Sequence, residues 1–288
     1  MPDEPQRDLV AAHWLASGQR PALHPQPCAM PLRERARIVA NAGYAGIGIL
    51  GAELAREVQA HGVGGVRAII EDAGLRHVEL EALTDWWLPG VGWRRELEPM
   101  LEWGAAIGAR AIKATGDFSR SATPLDVMAE AFEPVASMAR AGGVPIALEV
   151  IAFSNIRTIP DAMAVLGDAA GRGAGLILDS WHFGRLGVSL APLHGLPEAA
   201  IIGVEIAGVS SVPDDDMFVE TLDSRCEPDR GGYEVGAFLA AVFEAGYTGP
   251  IGVEVLSASL REGSVDQALE RCAQAAWRLL QLGCCNRY

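Results

Sequence analysis

The sequence predicts a (β/α)8 barrel folded as a single domain. Three observations carry that prediction. The chain has 288 residues, half of them hydrophobic, which is the usual length for one α/β barrel. Short apolar runs alternate with longer amphipathic stretches, the pattern of parallel βαβ units. The alternation occurs eight times along the chain, and eight such units close on themselves.

In order, the strand-like runs are residues 9–15, 46–50, 77–83, 109–114, 144–151, 175–178, 201–206 and 251–256. The helix-like stretches between them are 32–42, 54–73, 93–107, 125–141, 159–170, 190–196, 235–245 and 265–282. Gly43, Gly74, Gly142 and Gly246 each follow a helical stretch and precede an apolar run. Glycine there accepts the left-handed cap that ends a helix without a Cβ penalty. Gly62, Gly64 and Gly65 lie inside the second helical stretch, so they read as a kink or break rather than a phosphate cradle. No linker or low-complexity segment interrupts the pattern. The barrel is expected over residues 1–288, with a core of about 8–280 between a short polar N-terminal tail and a cysteine-containing C-terminal tail.

The formal net charge is −14. Proteins that grip nucleic acid present basic surface, because phosphate neutralisation dominates their affinity. Neither nucleic acid nor an anionic membrane is therefore an expected partner. The cysteines are Cys28, Cys226, Cys272, Cys284 and Cys285. Their odd number and the lack of a CxxC pair speak against a disulfide framework or zinc knuckle. Free thiols, a polar start without a secretory pattern, and no apolar run of about 20 residues point to the cytoplasm.

Catalytic groups of such barrels sit at the C-terminal ends of the strands. Four consecutive strands carry a carboxylate there: Glu149, Asp179, Glu205 and Glu254, each embedded in apolar residues. One such carboxylate is costly to bury, and four converging on one mouth repel each other. A bound divalent cation resolves both costs, and oxygen donors suit hard ions such as Mn2+ or Mg2+. Singly, each residue reads equally well as a salt-bridged rim group.

The segment Leu178-Asp179-Ser180-Trp181-His182 resembles the LDxWH motif of the xylose isomerase-like sugar phosphate isomerase/epimerase superfamily. The stretch from Arg225 through Gly231-Gly232-Tyr233, and then Gly246-Tyr247-Thr248-Gly249 leading to Glu254, is similar to that family's end. Asn41-Ala42-Gly43-Tyr44-Ala45-Gly46 is similar to its opening. The resemblance implies one metal ion held by Glu149, Asp179, Glu205 and Glu254. It also implies substrate contacts from His182 and Arg225. Glu205 stands where many members have His or Gln, and residues 227–232 depart from the usual L-P-G-E-G loop.

Other residues keep two readings. Lys113 near the end of the fourth strand either offsets the site's charge or binds a substrate oxyanion, or else points to solvent. Trp86 and Trp87 either stack on a sugar ring or cover the barrel rim. His13 and Trp14 either line the pocket or belong to the core or rim. The expected activity is that of a metal-dependent isomerase or epimerase of a sugar, keto-sugar or related polyol. It would act through an enediolate, with Glu149 and Glu254 as ligands and proton shuttles. A dehydratase or lyase of the same fold, of the inosose or dehydroshikimate type, is the alternative. A non-catalytic barrel or partner subunit is a further one. Whether the chain forms a homo-oligomer is left open.

Overall fold

The computed structural model describes residues 7–22, 27–90, 92–119, 121–197 and 199–285. Among them, eight parallel strands close in sequence order into one barrel. The strands are β1 Leu9–Ala11, β2 Gly46–Leu50, β3 His77–Leu83, β4 Ala109–Ala114, β5 Ile146–Glu149, β6 Ala174–Asp179, β7 Ile201–Ile206 and β8 Ile251–Val253. Closure is made by β1 against β8, with Leu9 level with Ile251 and Ala11 with Val253. Strands buried on both faces read as near-continuous apolar runs, which is why their centres were legible.

The helices are α1 His13–Ser17, α2 Leu32–Asn41, α3 Gly51–Asp72, α4 Gly92–Ile107, α5 Leu125–Gly142 and α6 Ile159–Leu166. They continue with α7 Ser180–Leu186, α8 Met217–Asp223, α9 Val235–Glu244, α10 Ala258–Arg261 and α11 Val265–Cys285. The main core lies between the barrel and this outer ring and includes Leu9, Ile47, Leu80, Phe132, Leu148, Leu178, Phe183 and Phe238. A smaller cluster, Ala111, Ala147 and Ile177 with Ile202 against it, stands apart from it. Its first three members lie two residues before Lys113, Glu149 and Asp179. Strand side chains alternate with period two, so this apolar layer lies on the same strand face as the charged groups.

The structure corrects several boundaries. The first strand ends at Ala11, not at residue 15. The His13 amide donates to Glu81 at 3.0 Å instead of to a neighbouring strand, and the chain turns into α1. Residues 190–196 do not form the sixth barrel helix. Only a 3-10 turn lies there, at Ala191–Gly195, with Pro192 in its first turn. The helix after β6 is α7, which starts at once because Asp179 caps it by accepting from the Trp181 amide at 2.9 Å. The last helix continues through Cys285, so Cys284 and Cys285 are helical in backbone and not part of a tail. Gly62 interrupts α3 with φ 68° and ψ 161°, the kink its glycine run predicted. Residues 1–6 of the polar N-terminus lie outside the described residues.

Candidate active site

Strand register gathers the charged groups at one mouth. Asp179 on β6 is level with Glu205 on β7, and Glu205 is level with Gly252 on β8. Glu149 ends β5, Lys113 is next to last in β4, and Glu254 directly follows β8. Lys113, Glu149, Asp179, Glu205 and Glu254 are each at most 5% exposed. One oxygen from each of Glu149, Asp179, Glu205 and Glu254 lies within 4.8 Å of the others, so the four carboxylates can hold a metal ion together. Glu149, Asp179 and His182 form a second, overlapping set of that kind.

Two cations enter this cluster. Lys113 does not point to solvent. Its Nζ donates to both oxygens of Glu205 at 2.9 Å and to Glu254 at 3.2 Å. Burial lowers the Lys113 pKa, but Glu205, Glu254 and Glu81 together raise it well above the usual value and hold the amine charged. Arg225 follows α8 and is buried. Its Nη1 donates to Asp179 at 2.6 Å and to Glu254 at 3.1 Å. Its Nε and Nη2 are held by Thr221 at 3.2 and 2.8 Å. The family resemblance implied substrate contacts for Arg225; in the structure its guanidinium engages two of the carboxylates. The guanidinium also lies 5.0 Å from the Trp181 ring.

These cations separate the carboxyl groups electrostatically. Burial raises Glu149 and Asp179 above the usual carboxylate range. Burial acts on Glu254 in the same sense, but Lys113 and Arg225 outweigh it and leave that group lowered. His182 is pushed down to about 3, chiefly by burial, and is therefore neutral. Its Nδ1 accepts from the Ala152 amide at 3.3 Å, which places the ring proton on Nε2. That nitrogen lies 3.5 Å from Glu149 and 3.8 Å from Asp179.

Further residues surround these groups. Glu81 on β3 is a fifth buried carboxyl group, 3.8 Å from Lys113. Burial is the main reason its pKa is pushed up to about 7. The signal was present, since Glu81 stands near a strand end like the others. Phe153, in the loop after β5, packs edge-on against His182 with ring centroids 5.6 Å apart. Phe118 and Phe218, from the loop after β4 and from α8, lie 5.2 and 5.3 Å from Phe153. Both outer rings are exposed, at 41% and 43%. Two loops and α8 thus build an aromatic wall beside the site, with no sequence motif to announce it.

Trp86 and His13 are packed in the interior. Trp86 is fully buried, donates to the Thr115 carbonyl at 2.8 Å and packs on Phe132 of α5. His13 is fully buried, and its ring lies 3.5 Å from Glu53, which Arg35 pairs at 2.8 Å. Among the described residues no helix is long and apolar enough to cross a membrane.

Comparison with known proteins agrees with this architecture. The sequence profile described as a xylose isomerase-like TIM barrel matches residues 36–275. A 3-dehydroshikimate dehydratase of Pseudomonas aeruginosa is 29% identical over 136 residues, 47% of this chain and 21% of that protein. An inosose isomerase of Halalkalibacterium halodurans is 27% identical over 139 residues, 47% of this chain and 48% of that protein. The matched segments thus span half or less of these relatives. Among solved structures, the IOLI protein with a bound zinc atom superposes with a TM-score of 0.80 at 17% identity, covering 95% of this chain and 98% of that one. The 3-keto-D-glucoside 4-epimerase of E. coli superposes at 0.66 with 16% identity, covering 94% and 98%. The eight-stranded barrel and the profile match over most of its length place this chain in the xylose isomerase-like TIM-barrel family.

Proposed function

We propose that the protein is a divalent-metal-dependent isomerase or epimerase of a sugar, keto-sugar or related polyol, acting through an enediolate. One observation carries the reading: four buried carboxylates meet within 4.8 Å while two cations, Lys113 and Arg225, face them. With these four counted as ionised, the formal surplus is two negative charges, which one divalent cation neutralises. The donors are hard oxygens, so the residues present fit Mn2+ or Mg2+. Glu149, Asp179 and Glu254 would hold the ion, with Glu205 on the fourth side. When bound, the ion would supply Lewis acidity toward a carbonyl and its neighbouring hydroxyl.

The chain's own residues would do the rest. A carboxylate takes a proton from the carbon beside the carbonyl, and the C–H electron pair moves toward the carbonyl oxygen. Return of the proton to the opposite face gives epimerisation, and return to the adjacent carbon gives isomerisation. Glu149 and Glu254 are the proton carriers in this reading. They sit three strands apart around the ring, with Asp179 and Glu205 between them. Glu149, raised by burial, accepts a proton more readily than Glu254. His182 presents an Nε2–H to a substrate oxygen. Arg225 holds Asp179 and Glu254 in place.

The relatives' names support both isomerase and dehydratase chemistry. A dehydratase would share the enolisation and then expel a β-hydroxyl. Incubation with a panel of ketoses and keto-inositols, followed by mass spectrometry, separates the two. A new product of unchanged mass is the expected result. Loss of water would replace the proposal by the dehydratase reading, and no turnover across the panel would refute both.

A further inference from the structure

The four carboxylates of the site do not have equivalent partners. Glu149 faces the neutral His182 at 3.5 Å. Asp179 and Glu254 share the Arg225 guanidinium. Glu205 alone has both oxygens at 2.9 Å from one ammonium, that of Lys113. The two residues reach each other across the barrel from β4 and β7, and both side chains are at most 5% exposed. Burial raises the Glu205 carboxyl well above the usual range while Lys113 pulls it down; in its charged form, a desolvated ammonium held symmetrically by one carboxylate is a local ion pair with little net charge.

The packing around Glu205 maintains this pairing. Its level neighbour on β8 is Gly252, where an added Cβ would come within 2.7 Å of the Glu205 Cγ. Glycine there leaves the space that the Glu205 side chain crosses. A dication bound by Glu205 would stand beside the Lys113 ammonium in a low-dielectric chamber, where like charges repel strongly.

Resting on the metal reading above, we infer that Glu205 is not a full ligand of the ion but the counter-ion that positions Lys113. The ion is then held by Glu149, Asp179 and Glu254, and the Lys113–Glu205 pair forms a neutral wall of the chamber. Lys113, kept in place by Glu205 and still within 3.2 Å of Glu254, acts as a positioning residue that sets the charge of the metal site.

The test separates pair from ligand by a double substitution, because replacing both members of a buried ion pair is far better tolerated than breaking it. Metal-free protein is titrated with Mn2+ by calorimetry. The Lys113→Met/Glu205→Gln double variant is expected to bind Mn2+ within about threefold of wild type. Lys113→Met alone should bind at least about tenfold tighter, since it releases Glu205 to the ion. Asp179→Asn should lose about 100-fold or more, the scale on which a true ligand exceeds its supporting residues. A double variant as weak as Asp179→Asn overturns the inference and makes Glu205 an ordinary ligand. Thermal melts of the same metal-free variants read the pair without the ion. Each single substitution should lower Tm, and the double should regain most of the loss; additive losses overturn the pair. A wild type that takes up no divalent ion while the melts still show coupling refutes the metal reading and leaves only the ion pair.

Discussion

At Glu81 the barrel raises the affinity of a carboxyl group for its proton. Burial moves the group from an ordinary 4.5 up to about 7, against the pull of Lys113. The folded state therefore binds a proton between these values that the unfolded chain has released. Stability from this group is complete below about 4.5 and is lost as pH rises through about 7. Glu81→Gln, which mimics the protonated form, is expected to match wild type near the bottom of that window. Above its top the variant should melt at a higher temperature. Melting curves of the metal-free proteins across the window check this, and parallel curves for the two would contradict it. Residues also show where sequence reading stopped. Glu149, Asp179, Glu205 and Glu254 announced themselves as lone carboxylates at apolar strand ends, and Lys113 as a group that could offset their charge. The pairing of Lys113 with Glu205 did not, because it spans residues 92 positions apart and depends on barrel closure.

Among the elements, strands were the most legible and loops the least. A doubly buried strand has one compositional solution, so all eight runs were found. The first was drawn too long because His13, Trp14 and Leu15 continue its apolar pattern while the backbone already turns into α1. The sixth helix was misplaced because α7 is short and begins immediately after the strand's final residue, which doubles as its cap and as a site carboxylate. The loops after β4 and β5 and the short helix α8 carry Phe118, Phe153 and Phe218, with no period to reveal their meeting. Phe153 touches His182, so this wall lies where an apolar ring face of the substrate would rest. Phe153→Ala is expected to raise KM about tenfold, the loss of one aromatic contact and its buried area. Metal content should stay unchanged and kcat should change much less. Steady-state kinetics with metal analysis check this; an unchanged KM would remove the wall from substrate binding.

Across the whole molecule, the acid surplus seen in the composition has an internal counterpart. The formal charge of −14 includes a buried cluster whose carboxylates outnumber its cations. The fold brings these groups to the one face where a barrel of this kind does chemistry. Enolisation is the step common to every activity considered, and it leaves a mark whatever the final product. The most direct test is deuterium incorporation from D2O, measured by NMR, using a ketose or keto-inositol that the panel shows to react. Metal-loaded wild type should place deuterium on the carbon beside the carbonyl, and chelated protein should not. Metal-loaded Glu149→Gln and Glu254→Gln should each suppress the exchange. Turnover by the metal-loaded wild type without deuterium on that carbon, or exchange at the wild-type rate in a metal-loaded Glu254→Gln variant, would contradict the two-carboxylate account.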